Sequence, residues 1–153
     1  MSEIRYTIVE GTGRGREYPM TDSQYFARRG GKFVKLSAGA VSLVGSTDEI
    51  FGWCETAKDD TGKNAWMSVS GDTGFVYYAD PENVFELPVN ELSASLAASQ
   101  IGLSFKCVTV GATYAMKQYA LVSNTATAGL NVVDVDTTNK TVRVKVDPRH
   151  RQN

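Results

Sequence analysis

Between Gly30 and Pro88 the chain is a succession of short apolar segments, GKFVKL, AVSLVG, EIFGWC, AWMSVS, GFVYYA and VFELP, interrupted every few residues by Gly, Ser, Asp or Pro. Runs this short and this regularly punctuated suit strands that turn back on themselves, so the region reads as a small antiparallel barrel or sandwich. It contains no His and one Cys, Cys54, and its carboxylates sit mostly in turn-like stretches. That distribution suits a body that binds or builds rather than one that transforms a substrate.

The segment before it, residues 1–29, has one alternating stretch, IRYTIV from Ile4 to Val9, followed by EGTGRGREYPMTDSQYFARR. With so little apolar periodicity to bury, it is expected to be an extended amino-terminal arm rather than an independent unit. IRYTIV, with Ile4, Tyr6 and Ile8 on one side, would add as a strand to a neighbouring sheet edge. Arg14, Arg16, Arg28 and Arg29, interleaved with Tyr25 and Phe26, would lie on an acidic partner surface.

Past Pro88 the texture changes to VNELSASLAASQ, where Asn90 would cap a short helix from Glu91 with Leu92 and Leu96 on one face. The three serines weaken that helix. Beta character returns from Ile101. Val133 and Val135 lead into the turn TTNK, and Val142, Val144 and Val146 then alternate with Thr141, Arg143 and Lys145. The expectation is an all-β protein in three parts: the arm (1–29), a small β-barrel (30–88), and a second β unit (89–153) ending in the basic tail DPRHRQN.

Length and charge set the physical frame. A single compact domain of 153 residues buries roughly 70% of its unfolded surface, whereas a unit of about 60 residues buries nearer 60% and is marginal alone. The net charge of −1 conceals a split. Residues 1–35 hold seven Lys/Arg and four Asp/Glu, residues 36–90 two and nine, and residues 91–153 seven and four. Segregation of this kind steers association and orientation. Cys54 and Cys107 fit neither a disulfide framework nor metal-ligand spacing and are expected to be reduced core thiols. No apolar run approaches the ~20 residues of a membrane span, and the amino terminus lacks the layout of a secretory signal.

Chemical motifs fail on inspection. GTGRG at Gly11–Gly15 and the Gly30-Gly31-Lys32 run match neither a dinucleotide fingerprint nor a Walker loop. Arg14, Arg16, Arg28, Arg29, Lys32 and Lys35 with Tyr18, Tyr25 and Phe26 would suit single-stranded nucleic acid. The acidic segment beside them and a pI near 5.8 argue against it. Asp134, Asp136 and Asn139 begin a calcium-like loop that lacks its Gly and Glu, so Asp136 reads as the start of a hairpin turn. His150 is the one histidine, which leaves a catalytic triad or a His-based zinc site little to work with. Asp59-Asp60 reads as a solvated loop tip. Trp53 and Trp66 with Tyr77 and Tyr78 would form a sugar-stacking platform; core packing and subunit contacts are the commoner use of such rings.

Taken in order, GKFVKLSAGAVSLVG, EIFGWCETA, the acidic Gly-containing stretch and GFVYYADPENVFELP resemble the small barrel of tailed-bacteriophage capsid decoration (cement) proteins. SQIGLSFKCVTV and NVVDVDTTNKTVRVKVDPRHRQ are similar to the carboxy-terminal portion of phage virion structural proteins. Together these cover about residues 30–148. The longer amino-terminal segment and the β region after Pro88 depart from the shorter cement proteins. The resemblance implies a non-enzymatic accessory shell protein, homotrimeric, made in the host cytoplasm and carried on the virion capsid surface. Its partner would be the major capsid protein, with no cofactor, metal, nucleic acid or membrane. Shell and subunit contacts would come from Ile4, Tyr6, Ile8, Arg14, Arg16, Tyr25, Phe26, Arg28 and Arg29. The alternative expectation is a β-domain that binds carbohydrate or a host surface through exposed aromatics.

Overall fold

The computed structural model describes residues 8–11, 13–27, 31–45, 48–55, 65–69, 71–89, 96–111, 117–121 and 129–152. In chain order its strands are β1 (Ile8–Glu10), β2 (Gly15–Pro19), β3 (Tyr25–Ala27), β4 (Gly31–Ser37), β5 (Ala40–Leu43), β6 (Gly52–Glu55), β7 (Ala65–Met67), β8 (Thr73–Tyr78), β9 (Val84–Pro88), β10 (Ser104–Val110), β11 (Lys117–Leu121), β12 (Leu130–Asp136) and β13 (Thr141–Val146). The fold is all-β, as the punctuated apolar runs imply. One antiparallel sheet has the order β2-β8-β6-β4-β5 and a second the order β1-β9-β13-β12-β10-β11, while β3 and β7 form a separate ribbon.

The five-stranded sheet curls. Met20, just past β2, forms a parallel bridge to Val41 of β5, and the Thr21 N–H donates to Val41 O at 2.9 Å, so the two edges of the sheet meet at one end. Tight turns make the curl possible. Ala38 and Gly39 join β4 to β5 with φ of 51° and 82°, the pair of positive values that lets a two-residue hairpin follow strand twist.

Two apolar cores result. Inside the curl lie Met20, Phe26, Val34, Val41, Leu43, Cys54 and Val76. Between the sheets lie Phe33, Trp53, Phe85, Leu87, Phe105, Leu130 and the valines of β13, among others. Phe33 and Trp53 meet edge-on at 4.7 Å, and Trp53 stacks on Phe85 at 5.4 Å, which ties β4 and β6 to β9. Successive residues of β4 and β6 therefore face different cores, which is why Gly52, Trp53 and Cys54 are all buried. Gly31 is fixed by this packing, because a Cβ there would lie 2.1 Å from Trp53 Nε1.

The sheets do not follow the expected three-part division. Residues 8–27 are no free arm: β1 pairs with β9 and β2 with β8, within the chain. The Ile8–Val9 end of IRYTIV, continued by Glu10, does augment a sheet edge, and the edge is its own. β9, expected to close the barrel, pairs instead with β13 and β1. The Asp80–Asn83 turn, with Pro81 second and the Asn83 N–H on Asp80 O at 3.0 Å, carries the chain from one sheet to the other. The core between the sheets draws on both expected units, so neither has to stand alone on a marginal core.

Two further expectations change. Val133 is 38% exposed rather than inward, because the β12–β13 register shifts between Val132 and Asp134 and the bulge turns Val133 out. The carboxy-terminal segment is docked: Arg151 bridges Ile50 in parallel, with Ile50 N–H on His150 O and Gln152 N–H on Ile50 O, both at 2.9 Å. The helix expected from Glu91 lies outside the described residues, apart from buried Leu96 and a short 3-10 turn over Ala98–Gln100.

Candidate functional site

Of the nine residues expected to make contacts, Ile4, Tyr6, Arg28 and Arg29 lie outside the described residues. Ile8 is half-buried at the edge of the intersheet core, and Phe26 is wholly buried inside the curl. The fold uses both in its own packing, which removes Phe26 from any contact surface. Tyr25 sits on β3, where its carbonyl accepts from Lys32 Nζ at 2.8 Å and its ring lies 5.0 Å from that nitrogen. Arg14 and Arg16 are exposed and adjacent at β2.

β2 is the edge of its sheet, and two bonds set the phase of its backbone. Tyr78 N–H donates to Arg14 O, and Met20 N–H donates to Asp72 O, both at 2.9 Å. Residues 14, 16, 18 and 20 therefore face β8, and the main-chain groups of Gly15, Glu17 and Pro19 point away from it. Pro19 has no N–H to leave unpaired, consistent with an edge position. Beside this edge Tyr18 meets Phe51 at 5.1 Å, Tyr18 and Tyr78 share a hydrogen bond between hydroxyls at 3.1 Å, and the Arg16 guanidinium lies 4.7 Å over the Tyr18 ring. Burial and the Tyr78 hydroxyl push the Tyr18 pKa up, so the phenol stays protonated at neutral pH. Arg14 approaches Asp80 at 4.0 Å with its own side chain 69% exposed. The edge thus presents outward main-chain groups, two guanidinium groups and a half-buried ring cluster together.

The remaining candidates disperse. Lys35 pairs with Asp48 at 3.1 Å, and Asp48 is held below the usual carboxylate range by the Gly45 N–H and Lys35, which outweigh its burial. Lys32 turns toward Tyr25 and Phe26, and desolvation lowers its pKa to about 8. The six basic residues considered for nucleic acid therefore do not form one stripe among those described. Trp53 is wholly buried and donates Nε1–H to Glu55 at 3.2 Å, so it offers no stacking face. The Trp66 side chain lies outside the described residues, and Tyr77 is half-buried against the intersheet core. Both thiols are free and buried. Burial pushes Cys54 up to about 12 and raises Cys107 as well, so neither is a thiolate at neutral pH.

An open polar cleft of about 320 Å³ lies over β9, β13 and β12, lined by Glu86, Asp134, Asp136, Thr141 and Arg143 among others. Four of its polar side chains, Glu86, Thr141, Asp134 and Asp136, already hold hydrogen bonds. Thr141 Oγ1 donates to Glu86 Oε2 at 2.9 Å, and Asp136 accepts from Thr138 N–H, Asn139 N–H and Asn139 Nδ2 at 3.0, 3.0 and 2.8 Å. These bonds hold the Asp136 carboxyl below its usual range and build the hairpin turn that its sequence implies. Among the described residues no group of His, Cys, Asp or Glu is arranged to hold a metal ion.

What sequence reading missed is a set of three glutamines that complete strand ladders. β5 ends at Leu43, and beyond it the buried Gln118 amide of β11 accepts from Phe33 N–H at 2.6 Å and donates to Phe33 O at 2.9 Å. On the other side of β4, past the start of β6, Gln152 treats Leu36 the same way at 2.9 and 2.6 Å. Gln24 Oε1 accepts from Leu43 N–H at 2.9 Å on the outer edge of β5. Each supplies the donor or acceptor that a longer neighbouring strand would have given. No local pattern marks them, since the partners are 85, 116 and 19 residues away. Comparison of the chain with protein-family models, curated proteins and solved structures finds no match in any of the three.

Proposed function

We propose that the protein is a capsid decoration (cement) protein of a tailed bacteriophage, binding the assembled major capsid lattice as a homotrimer on the virion surface. The observation that carries this reading is the outer side of β2 over Gly15–Glu17, which has no paired strand among the described residues and where Gly15 and Glu17 turn main-chain groups away from β8 beside exposed Arg14 and Arg16. Such an edge takes an extended segment of a partner by strand addition, and its guanidinium groups favour an acidic one. The order of apolar runs from residue 30 to 148, similar to that of cement proteins, supports the same reading. A protein that binds only the assembled lattice stabilises that state by RT ln(1 + [L]/Kd), about 2.7 kcal/mol per site at a hundredfold excess over Kd. Repeated over many sites, that resists outward pressure with no reaction centre. The carbohydrate alternative is weaker because Trp53 is enclosed in the core.

The test is cosedimentation with empty phage shells. Removal of residues 1–27 would take β2 out of its sheet, so the informative change is Arg14→Glu with Arg16→Glu at exposed positions. Loss of shell binding by a normally folded variant supports the reading. Equal binding by variant and parent refutes attachment through β2, and a parent protein that ignores every shell tested refutes decoration itself.

A further inference from the structure

We infer that the Asp80–Pro81 peptide bond is a self-cleavage site, at which the Asp80 carboxylate opens its own backbone in mild acid and severs the chain where it passes from one sheet to the other. Among the described residues, Asp80 Oδ2 is the one buried side-chain nitrogen or oxygen that takes part in no hydrogen bond. A buried oxygen left without a donor calls for an explanation, and a reacting role is one. Arg14 Nη1 stands 4.0 Å away, beyond hydrogen-bond distance, and Glu82, the other charged residue of the turn, is exposed. The turn itself is pinned. Asn83 N–H donates to Asp80 O at 3.0 Å and Asn83 Nδ2 to Tyr78 O at 2.8 Å, and Gly11 lies so close to Asn83 that any side chain there would collide with it.

The reaction needs only this residue, its neighbour, a proton and water. Rotation about Cα–Cβ brings an aspartate carboxyl oxygen to the carbonyl carbon of its own residue. Oδ2 adds to that carbon, and the carbonyl oxygen, already accepting from Asn83 N–H, carries the charge that develops. Acid supplies the proton that goes to the Pro81 nitrogen, which has no hydrogen of its own. The C–N bond then breaks, leaving a cyclic anhydride on residue 80 and a secondary amine on Pro81. Water opens the anhydride into the side-chain carboxyl and a new α-carboxyl, with no change of oxidation state.

The chain carries its own comparison. Its second Asp–Pro bond, Asp147–Pro148, has the same covalent chemistry but a carboxylate with both oxygens engaged. Oδ1 accepts from Arg149 N–H at 2.9 Å and Nε–H at 3.2 Å, and Oδ2 accepts from Nη2 at 2.8 Å. A carboxylate held by charge-assisted bonds has to give one up before it attacks. Of two like bonds, the fold therefore leaves one nucleophile unoccupied and ties down the other. The cut chain stays in one piece, because Phe33 and Trp53 before the cut pack on Phe85 after it, at 5.2 and 5.4 Å, and β1 pairs with β9. Cleavage is thus read after denaturation.

The test keeps the full chain at the lowest pH at which circular dichroism shows the native fold, with samples denatured at intervals and weighed by mass spectrometry. Fragments 1–80 and 81–153 should appear about tenfold or more faster than fragments 1–147 and 148–153. In strong urea at the same pH the contrast should shrink to about twofold or less, because both carboxylates are then hydrated alike. Asp80→Asn should abolish the cut after residue 80 and leave the slow one. Arg149→Ala, which releases Asp147 Oδ2, should speed the cut after residue 147 several-fold. No cut after residue 80, equal rates at the two bonds of the folded chain, a contrast that survives urea, or a cut that persists in Asp80→Asn would each overturn the inference. The comparison of the two bonds, folded and in urea, decides the matter on the unaltered protein even if a variant folds poorly.

Discussion

Replacing Gln118 with methionine keeps the length of the side chain and removes both ends of its clamp on Phe33. The Phe33 N–H, which donates to Gln118 Oε1 at 2.6 Å in a buried position, would lose its partner where water cannot reach it, at about 1–3 kcal/mol. The Phe33 carbonyl would keep the Val44 N–H at 3.3 Å, so losing the second bond adds only about 1 kcal/mol. The sum, about 2–4 kcal/mol, is a large share of the ~5–15 kcal/mol that holds a domain together. With a urea slope near 2 kcal/mol/M, the unfolding midpoint should fall by about 1–2 M with little change in slope. Gln118→Glu gives the sharper reading. At neutral pH the carboxylate still accepts from Phe33 N–H, but it also faces Phe33 O and Thr109 Oγ1 in place of the amide that donated to both. Its folded pKa would be raised above that of the unfolded chain, so the destabilisation is present at neutral pH and is relieved as the pH falls and a protonated carboxyl regains a donor. A methionine variant whose midpoint moves by under about 0.3 M, or a glutamate variant equally weakened at pH 4 and 7, would refute the clamp.

Two further outcomes are expected. Asp147 caps the 3-10 turn over Pro148–His150 and holds Arg149 through Oδ1 and Oδ2, and the arginine keeps its pKa at about 2, below the ordinary 3.8. The depressed value means the contribution is whole above about pH 5 and lost as the pH falls through 2; with the Arg149 side chain 71% exposed, screening reduces it to about 1 kcal/mol. Asp147→Asn should therefore lower stability at pH 7 by that amount and hardly at all near pH 2, measured by urea titration at each pH. Cys54 and Cys107, buried and protonated at neutral pH, should react with an aromatic disulfide reagent only as fast as the structure opens. Full labelling within seconds at pH 8 without denaturant would contradict that burial.

The runs from Gly30 to Pro88 and from Ile101 to Val146 carry their own strand periodicity and turn residues, so an all-β fold, the Asp136 turn and the dry face of Val142, Val144 and Val146 are legible in the sequence. Local pattern reaches only as far as the next turn, however. β9 has the same apolar texture whether it closes one sheet or joins another, and only its contact with β13 assigned it to the second. Residues 8–27 look too polar to fold alone, and they do not: β2 and Met20 are held by Val76, Gly74 and Val41, which are far along the chain. Phe26 read as a contact residue because nothing local says that Val34 and Cys54 enclose the same space. The bulge that exposes Val133 left no Gly to announce it.

The candidate site divides along the same line. The arginines at 14 and 16 and the split of charge along the chain belong to composition and order, and the sequence alone determined them. Which main-chain groups of β2 face outward, which rings vanish into a core, and that three glutamine amides finish the ladders of β4 and β5 depended on tertiary structure, because each needs two segments brought together whose separation in the chain no periodicity can bridge.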